Sequence, residues 1–246
     1  MDKLGLWKGR SVARLRLAAM VIVLLTARDT SADESHCGTT AEPAHKHCTT
    51  HEHTAADVRT ILFRHWQAAV ENPEYLGSDL TQLADYYGRF PVVVELLRSI
   101  DDKPWRLRYE QMVWATHVRG NRLDISSVVV AFDTRSAARL LNHPSCALSP
   151  ACVISPADAL LHELLHVQKI LLEPDQFIAH GAGAIVYAVN HENEVIAAEQ
   201  RLYEAMSTGD GRPRPRRRSH AGRLLPVACA LCLPFEILAE KRSVQP

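Results

Sequence analysis

Ser155-Pro156-Ala157-Asp158-Ala159-Leu160-Leu161-His162-Glu163-Leu164-Leu165-His166 sets an H-E-x-x-H pattern on a well-started helix. Two His four residues apart project from one helical face, one turn from each other. Both imidazoles can therefore reach a single tetrahedral metal. Glu163 stands on the adjacent edge, where a carboxylate can take a proton from a water polarised by that metal. The start of the helix is written in the residues before it. Ser155 suits the N-cap, Pro156 the first helical position, and Asp158 the third, facing the positive end of the helix dipole. The pattern runs to about Leu172 and stops near Glu173-Pro174. Leu160, Leu161, Leu164, Leu165, Ile170 and Leu171 make it apolar around nearly its whole circumference, which implies a central, buried helix. Buried His and Glu are costly unless a metal or hydrogen bonds satisfy them. That favours a metal over two incidental histidines on a surface helix.

Two His leave the coordination incomplete. Lys169 and Leu172 occupy the positions that an H-E-x-x-H-x-x-G-x-x-H signature would fill with Gly and His, so a third ligand must come from further along. A helix is expected over residues 191–206, capped by Asn190, and it carries Glu192, Glu194 and Glu199. Glu192 and Glu199 fall within the apolar face made by Val195, Ile196, Leu202, Tyr203 and Met206, while Glu194 lies towards its edge. A carboxylate on a buried face needs a partner, and zinc is a good one.

The H-E-L-L-H helix followed by Glu192-Asn193-Glu194-Val195-Ile196-Ala197-Ala198-Glu199-Gln200-Arg201-Leu202-Tyr203 resembles the zincin metallopeptidases, gluzincin-like, and in particular bacterial effector-type enzymes related to NleD. The likeness covers about residues 155 to 216, with Gly211-Arg212-Pro213-Arg214-Pro215 standing where that group has a Gly- and Arg-containing segment. The resemblance implies an α+β, zincin-like fold: a small antiparallel sheet, the metal helix and a second, Glu-bearing helix. It also implies Zn2+ as cofactor and peptide-bond hydrolysis with Glu163 as the catalytic base. Carried over by position, it makes Glu192 the third metal ligand, with Glu199 as a supporting group behind the ligands. An alignment to gluzincins that favours Glu-x-x-small at the ligand picks Glu194 with Ala197 instead. Tyr187, seven residues earlier, then resembles the tyrosine that anthrax lethal factor carries before its ligand Glu. Both alignments stay open. Tyr187, His180 and His191 are the candidates to stabilise an oxyanion.

The ends of the chain bear on where it works. Its 246 residues suit one domain with tails. Lys+Arg and Asp+Glu both number 28, so no basic excess points to nucleic acid as a partner. Lys3, Lys8, Arg10, Arg14 and Arg16 precede an apolar run over residues 17–27, and Thr30-Ser31-Ala32 supplies small residues. Basic, apolar and small in that order describe a signal peptide over residues 1–32, and the run is too short for a comfortable membrane span. A secreted or periplasmic protein without a stable span after cleavage is expected. An export signal departs from the effector-type enzymes. Six Cys agree with export, since an even number in an oxidising compartment favours disulfides. A Cys146–Cys152 bridge would brace the loop before the metal helix, and Cys229-Ala230-Leu231-Cys232 reads as a structural bridge or free thiols. Residues 33–53 are His- and Cys-rich without periodicity, a flexible segment that could bind metal weakly.

Residues 54–246 form the domain. Helices are expected from Thr54 to Asn72-Pro73, over residues 80–87, and from Pro91; strands over 105–118 and 123–132; a short helix over 134–141. A terminal helix or strand is expected over 224–238. Together these features predict an exported zinc-dependent endopeptidase acting on a protein or peptide. The alternative is a non-catalytic metal-binding envelope protein with a degenerate zincin domain.

Overall fold

The computed structural model describes residues 45–121, 124–140, 152–181, 185–217 and 222–233; over 45–53, 180–181 and 185–189 it describes the backbone alone. All lie in one compact unit, Glu42–Pro246. The expected leader and Cys146 lie outside the described residues.

Three helices come first: α1 (His45–His65), α2 (Leu76–Tyr87) and α3 (Pro91–Ile100). Gly88 follows α2 because nothing larger fits: a Cβ there would stand 2.7 Å from the Ala55 Cα of α1. Pro91 opens α3 after an extended Phe90, and Val93, Val94, Leu96, Leu97 and Ile100 are buried on it. Helix α1 begins nine residues before the expected start at Thr54, inside the segment expected to lack structure, and it ends at His65 rather than near Asn72. The Trp66 backbone then leaves the helix to bridge Leu107.

Two three-stranded sheets follow, not one small antiparallel sheet. In the first, β3 (Ile125–Phe132) lies between β1 (Trp105–Tyr109), which is parallel to it, and β2 (Ala115–Gly120), which is antiparallel. Its β-branched run is buried from residue 128 to 132, as a central strand requires. The single strand expected over 105–118 is broken at 110–114. There Met112 takes φ 55° and its N–H donates to Asp133 Oδ2 at 2.9 Å. The second sheet is antiparallel, with β4 (Ser136–Leu140) between β5 (Val153–Ile154) and β6 (Gly222–Pro226). A helix was expected at β4. Short-range propensity loses here to hydrogen bonding on both edges, from partners distant in sequence.

Helix α4 (Pro156–Leu172) is the centre of the fold, packing against α3, β2, β3, β4 and β5. It also packs against α5 (Pro174–Gly181) and α6 (Ile185–Asp210). Every residue from 156 to 167 is buried. Helix α6 starts before Asn190, so that residue lies inside the helix and does not cap it. Cys229 and Cys232 are bridged, and Cys152 is also disulfide-bonded. Among the described residues no helix is long and apolar enough to cross a membrane.

Candidate metal centre

The first turn of α4 is fixed before any ligand appears. The Ser155 hydroxyl accepts the Asp158 N–H at 3.1 Å and donates to Asp158 Oδ2 at 2.8 Å, a reciprocal cap. The Ala157 N–H donates to the Ala230 carbonyl at 3.0 Å, beside the Cys229–Cys232 turn. Tyr87 and Tyr203 donate their hydroxyls to the carbonyls of Ala157 and Asp158, at 2.6 and 2.7 Å. Burial comes first in pushing both phenols well above their ordinary value, so they remain donors.

One turn later, His162 and His166 bring their Nε2 atoms to 3.1 Å from each other. Glu192, on α6, places Oε1 at 3.6 Å from His162 Nε2 and Oε2 at 3.2 Å from His166 Nε2. Imidazole and carboxylate ligands bound tetrahedrally at about 2.0–2.1 Å stand about 3.3 Å apart. The two nitrogens meet about that spacing, Glu192 approaches each of them with a different oxygen, and with one atom from each side chain within 4.8 Å of the others these three could hold a metal ion. Glu194 is half-buried two residues further along α6 and does not join the group.

For both Nε2 atoms to offer lone pairs, the ring protons must sit on Nδ1, and both Nδ1 atoms have acceptors. His162 Nδ1 faces Glu199 Oε1 at 3.3 Å, and His166 Nδ1 faces His191 Nε2 at 2.9 Å. These partners set the tautomers. Burial pushes His162 below the usual histidine value against the opposing pull of Glu199. Burial and then the neighbouring His166 push His191 down to about 4, so it is a neutral acceptor at ordinary pH. His191 thus stands behind His166. That is a different place from the oxyanion role considered for it.

Glu199 is fully buried and charged. Burial alone would raise its pKa, but hydrogen bonds from Arg217 and His162 outweigh it and hold the carboxyl at about 2. Arg217 Nε lies 3.0 and 2.7 Å from the two carboxylate oxygens, and Nη2 donates to Oε1 as well. Gln200 on α6 donates to the Arg217 carbonyl at 3.2 Å, seating the segment 211–217. Three residues earlier, buried Arg214 joins Asp210 at 2.7 Å and Asp158 at 3.4 Å, and also donates to the Tyr86 hydroxyl. This strap ties the end of α6 to the first turn of the metal helix. Arg214 and Arg217 are therefore both paired and buried.

Glu163 is buried beside His162, and its Oε2 accepts the Thr116 hydroxyl of β2 at 2.7 Å. Thr116 escaped the sequence reading because only the packing of β2 on α4 brings it there. Arg217 had a signal that was passed over: Arg214 and Arg217 sit three apart among prolines, a spacing that a polyproline-type segment turns to one side. Tyr187 lies on α6 and His180 on α5, both with side chains outside the described residues. No protein-family model, curated protein or solved structure matches this chain, so its chemistry rests on the geometry of its own residues.

Proposed function

We propose that the chain is an exported zinc-dependent endopeptidase of zincin-like fold, hydrolysing peptide bonds in a protein or peptide substrate. The observation that carries the proposal is the cluster of buried His162 and His166 with half-buried Glu192, and the buried carboxylate of Glu163 on the same helix as the two histidines. Two imidazoles and a carboxylate suit zinc as a donor set and would hold it. A bound Zn2+ would supply a Lewis acid that polarises the scissile carbonyl and acidifies water. Glu163 takes the proton of the attacking water and returns it to the leaving amine. Thr116, hydrogen-bonded to Oε2, fixes the orientation of that carboxylate. The strand that carries Thr116 pairs with β3 along one edge and is largely exposed, so its other edge can take an extended substrate as an added strand. Export is supported by the basic, apolar and small-residue order of the amino terminus.

The test is a comparison of wild type with Glu163→Gln, measuring zinc content and cleavage of a broad panel of proteins and peptides. Equal zinc is expected in both, with chelator-sensitive cleavage falling by about 10²–10⁴-fold in the variant. Zinc in both without any chelator-sensitive cleavage by the wild type would assign a non-catalytic metal-binding role instead. Equal zinc in His162→Ala and wild type would remove the metal from this helix altogether.

A further inference from the structure

Successive residues of a strand face opposite sides, which sorts the second sheet into two faces. Ala138, Leu140, Ile154 and Leu224 line one cavity and so define one face. Arg139 and Arg223 alternate with them and lie on the other. There the register sets Arg139 of β4 directly opposite Arg223 of β6. Cross-strand partners stand about 4.5–5.5 Å apart at their Cα atoms, and like charges in such a pair repel. On its other flank Arg139 meets Val153 of β5, which brings no charge to offset the repulsion.

Other arginines of the chain have carboxylate partners: Arg135 with Asp79, Arg214 with Asp210, and Arg217 with Glu199. Among the described residues neither Arg139 nor Arg223 has one. The Arg139 Nε is, in addition, buried without a hydrogen-bond partner. A buried N–H left without an acceptor is costly, and folded proteins rarely keep one without a reason. A charge on an edge strand discourages pairing with another chain, and that accounts for Arg223 on β6. It does not account for Arg139, which sits on the central strand of this sheet. One anion answers both the repulsion and the unpaired donor. Guanidinium groups present a fork of N–H donors that matches the oxygens of carboxylate and phosphate. Charge decides between the two. A carboxylate brings one negative charge to two cations, whereas a phosphate monoester carries about −1.5 to −2 at neutral pH and offsets both.

We infer that Arg139 and Arg223 form an anion site for a phosphate group, which bridges edge strand β6 to β4. The site stands independently of the peptidase proposal. Calorimetry on the full chain near neutral pH and at constant ionic strength tests it, with inorganic phosphate as the probe. One phosphate per chain is expected, with acetate bound about tenfold or more weakly. Arg139→Gln and Arg223→Gln should each weaken phosphate binding by about tenfold or more. Arg59→Gln, which removes an exposed arginine of α1, should leave it unchanged. Chelator-treated and zinc-loaded protein should bind phosphate equally. Vesicles of phosphatidylcholine with and without phosphatidic acid identify the source of the group. Binding of free phosphate without affinity for either vesicle assigns a soluble ligand. Binding to the phosphatidic acid vesicles alone, lost in both variants of the pair, assigns a lipid headgroup. Failure of both probes would overturn the site, as would undiminished binding by Arg139→Gln and Arg223→Gln or an equal loss in Arg59→Gln. Acetate binding as tightly as phosphate would overturn the choice of anion, and loss on chelation would place the phosphate at the metal centre instead.

Discussion

Thr116 has one hydroxyl hydrogen and two oxygens of Glu163 within reach, the carboxylate Oε2 at 2.7 Å and the backbone carbonyl at 3.3 Å. The shorter contact, to the more strongly accepting anion, takes it. Thr116→Val keeps the shape and removes the donor. Its expected effect is a kcat lowered by about 10–100-fold with zinc content unchanged, and Thr116→Ser should recover most of the rate. An unchanged rate in Thr116→Val would mean that Glu163 is oriented by something else. Glu199 gives a pH signature of known sign. Its folded-state pKa is about 2 against an ordinary 4.5, so the pairing contributes stability that is fully present above pH 4.5. That contribution is lost as pH falls from 4.5 towards 2. Urea midpoints of metal-free wild type and Glu199→Gln should differ most above pH 4.5 and converge below it. Arg217→Ala strands the buried carboxylate and is expected to cost about 3–5 kcal/mol at neutral pH. A gap that widened on acidification would contradict this assignment. At this scale the sequence is legible where spacing on one helix decides. Four residues suffice to bring the two histidine Nε2 atoms together, whereas the choice between Glu192 and Glu194 stayed open until the packing of α6 on α4 brought Glu192 beside them. It is illegible where the partner comes from another element, as with Thr116.

Helix α4 is legible from end to end, because its start and stop are local chemistry. Ser155, Pro156 and Asp158 act within the first turn, and Pro174 acts at the last. Ser155→Ala removes both halves of the reciprocal cap and is expected to cost about 0.5–2 kcal/mol, a fall in Tm of roughly 2–6 °C. Thermal unfolding by circular dichroism measures it, and no change would show that the surrounding phenols and the Ala230 carbonyl hold the turn without the cap. Strand β4 was illegible for the opposite reason. Ser136-Ala137-Ala138-Arg139-Leu140 favours helix locally, and its strand conformation is dictated by β5 and β6 on either side. Helix α6 runs further than expected in both directions.

For the whole molecule, the sequence conveyed the α+β character and the central buried helix but not the layout of two sheets. Pairings such as β1 with β3, parallel across an intervening hairpin strand, have no local signature. Metal loading is a property of this scale, since the centre joins α4 to α6. A ligand that binds only the folded state stabilises it: at about 1,000 times its Kd, zinc adds about 4 kcal/mol, or roughly 10 °C in Tm for a domain of this size. Chelation should remove that increment, zinc should restore it, and Glu192→Ala should show little of either. Equal melting of chelated and zinc-loaded wild type would argue that the three side chains hold nothing.

The strap carries a consequence in time as well as space. His162, His166 and Glu192 are all made before Arg214, Arg217 and Ala230, the groups that anchor the helix start and neutralise the carboxylate behind His162. A growing chain therefore owns these three side chains while still lacking the segment that braces them, and closures between parts distant in sequence are slow. The order of synthesis itself places the anchoring of this cluster after its three side chains have all been made.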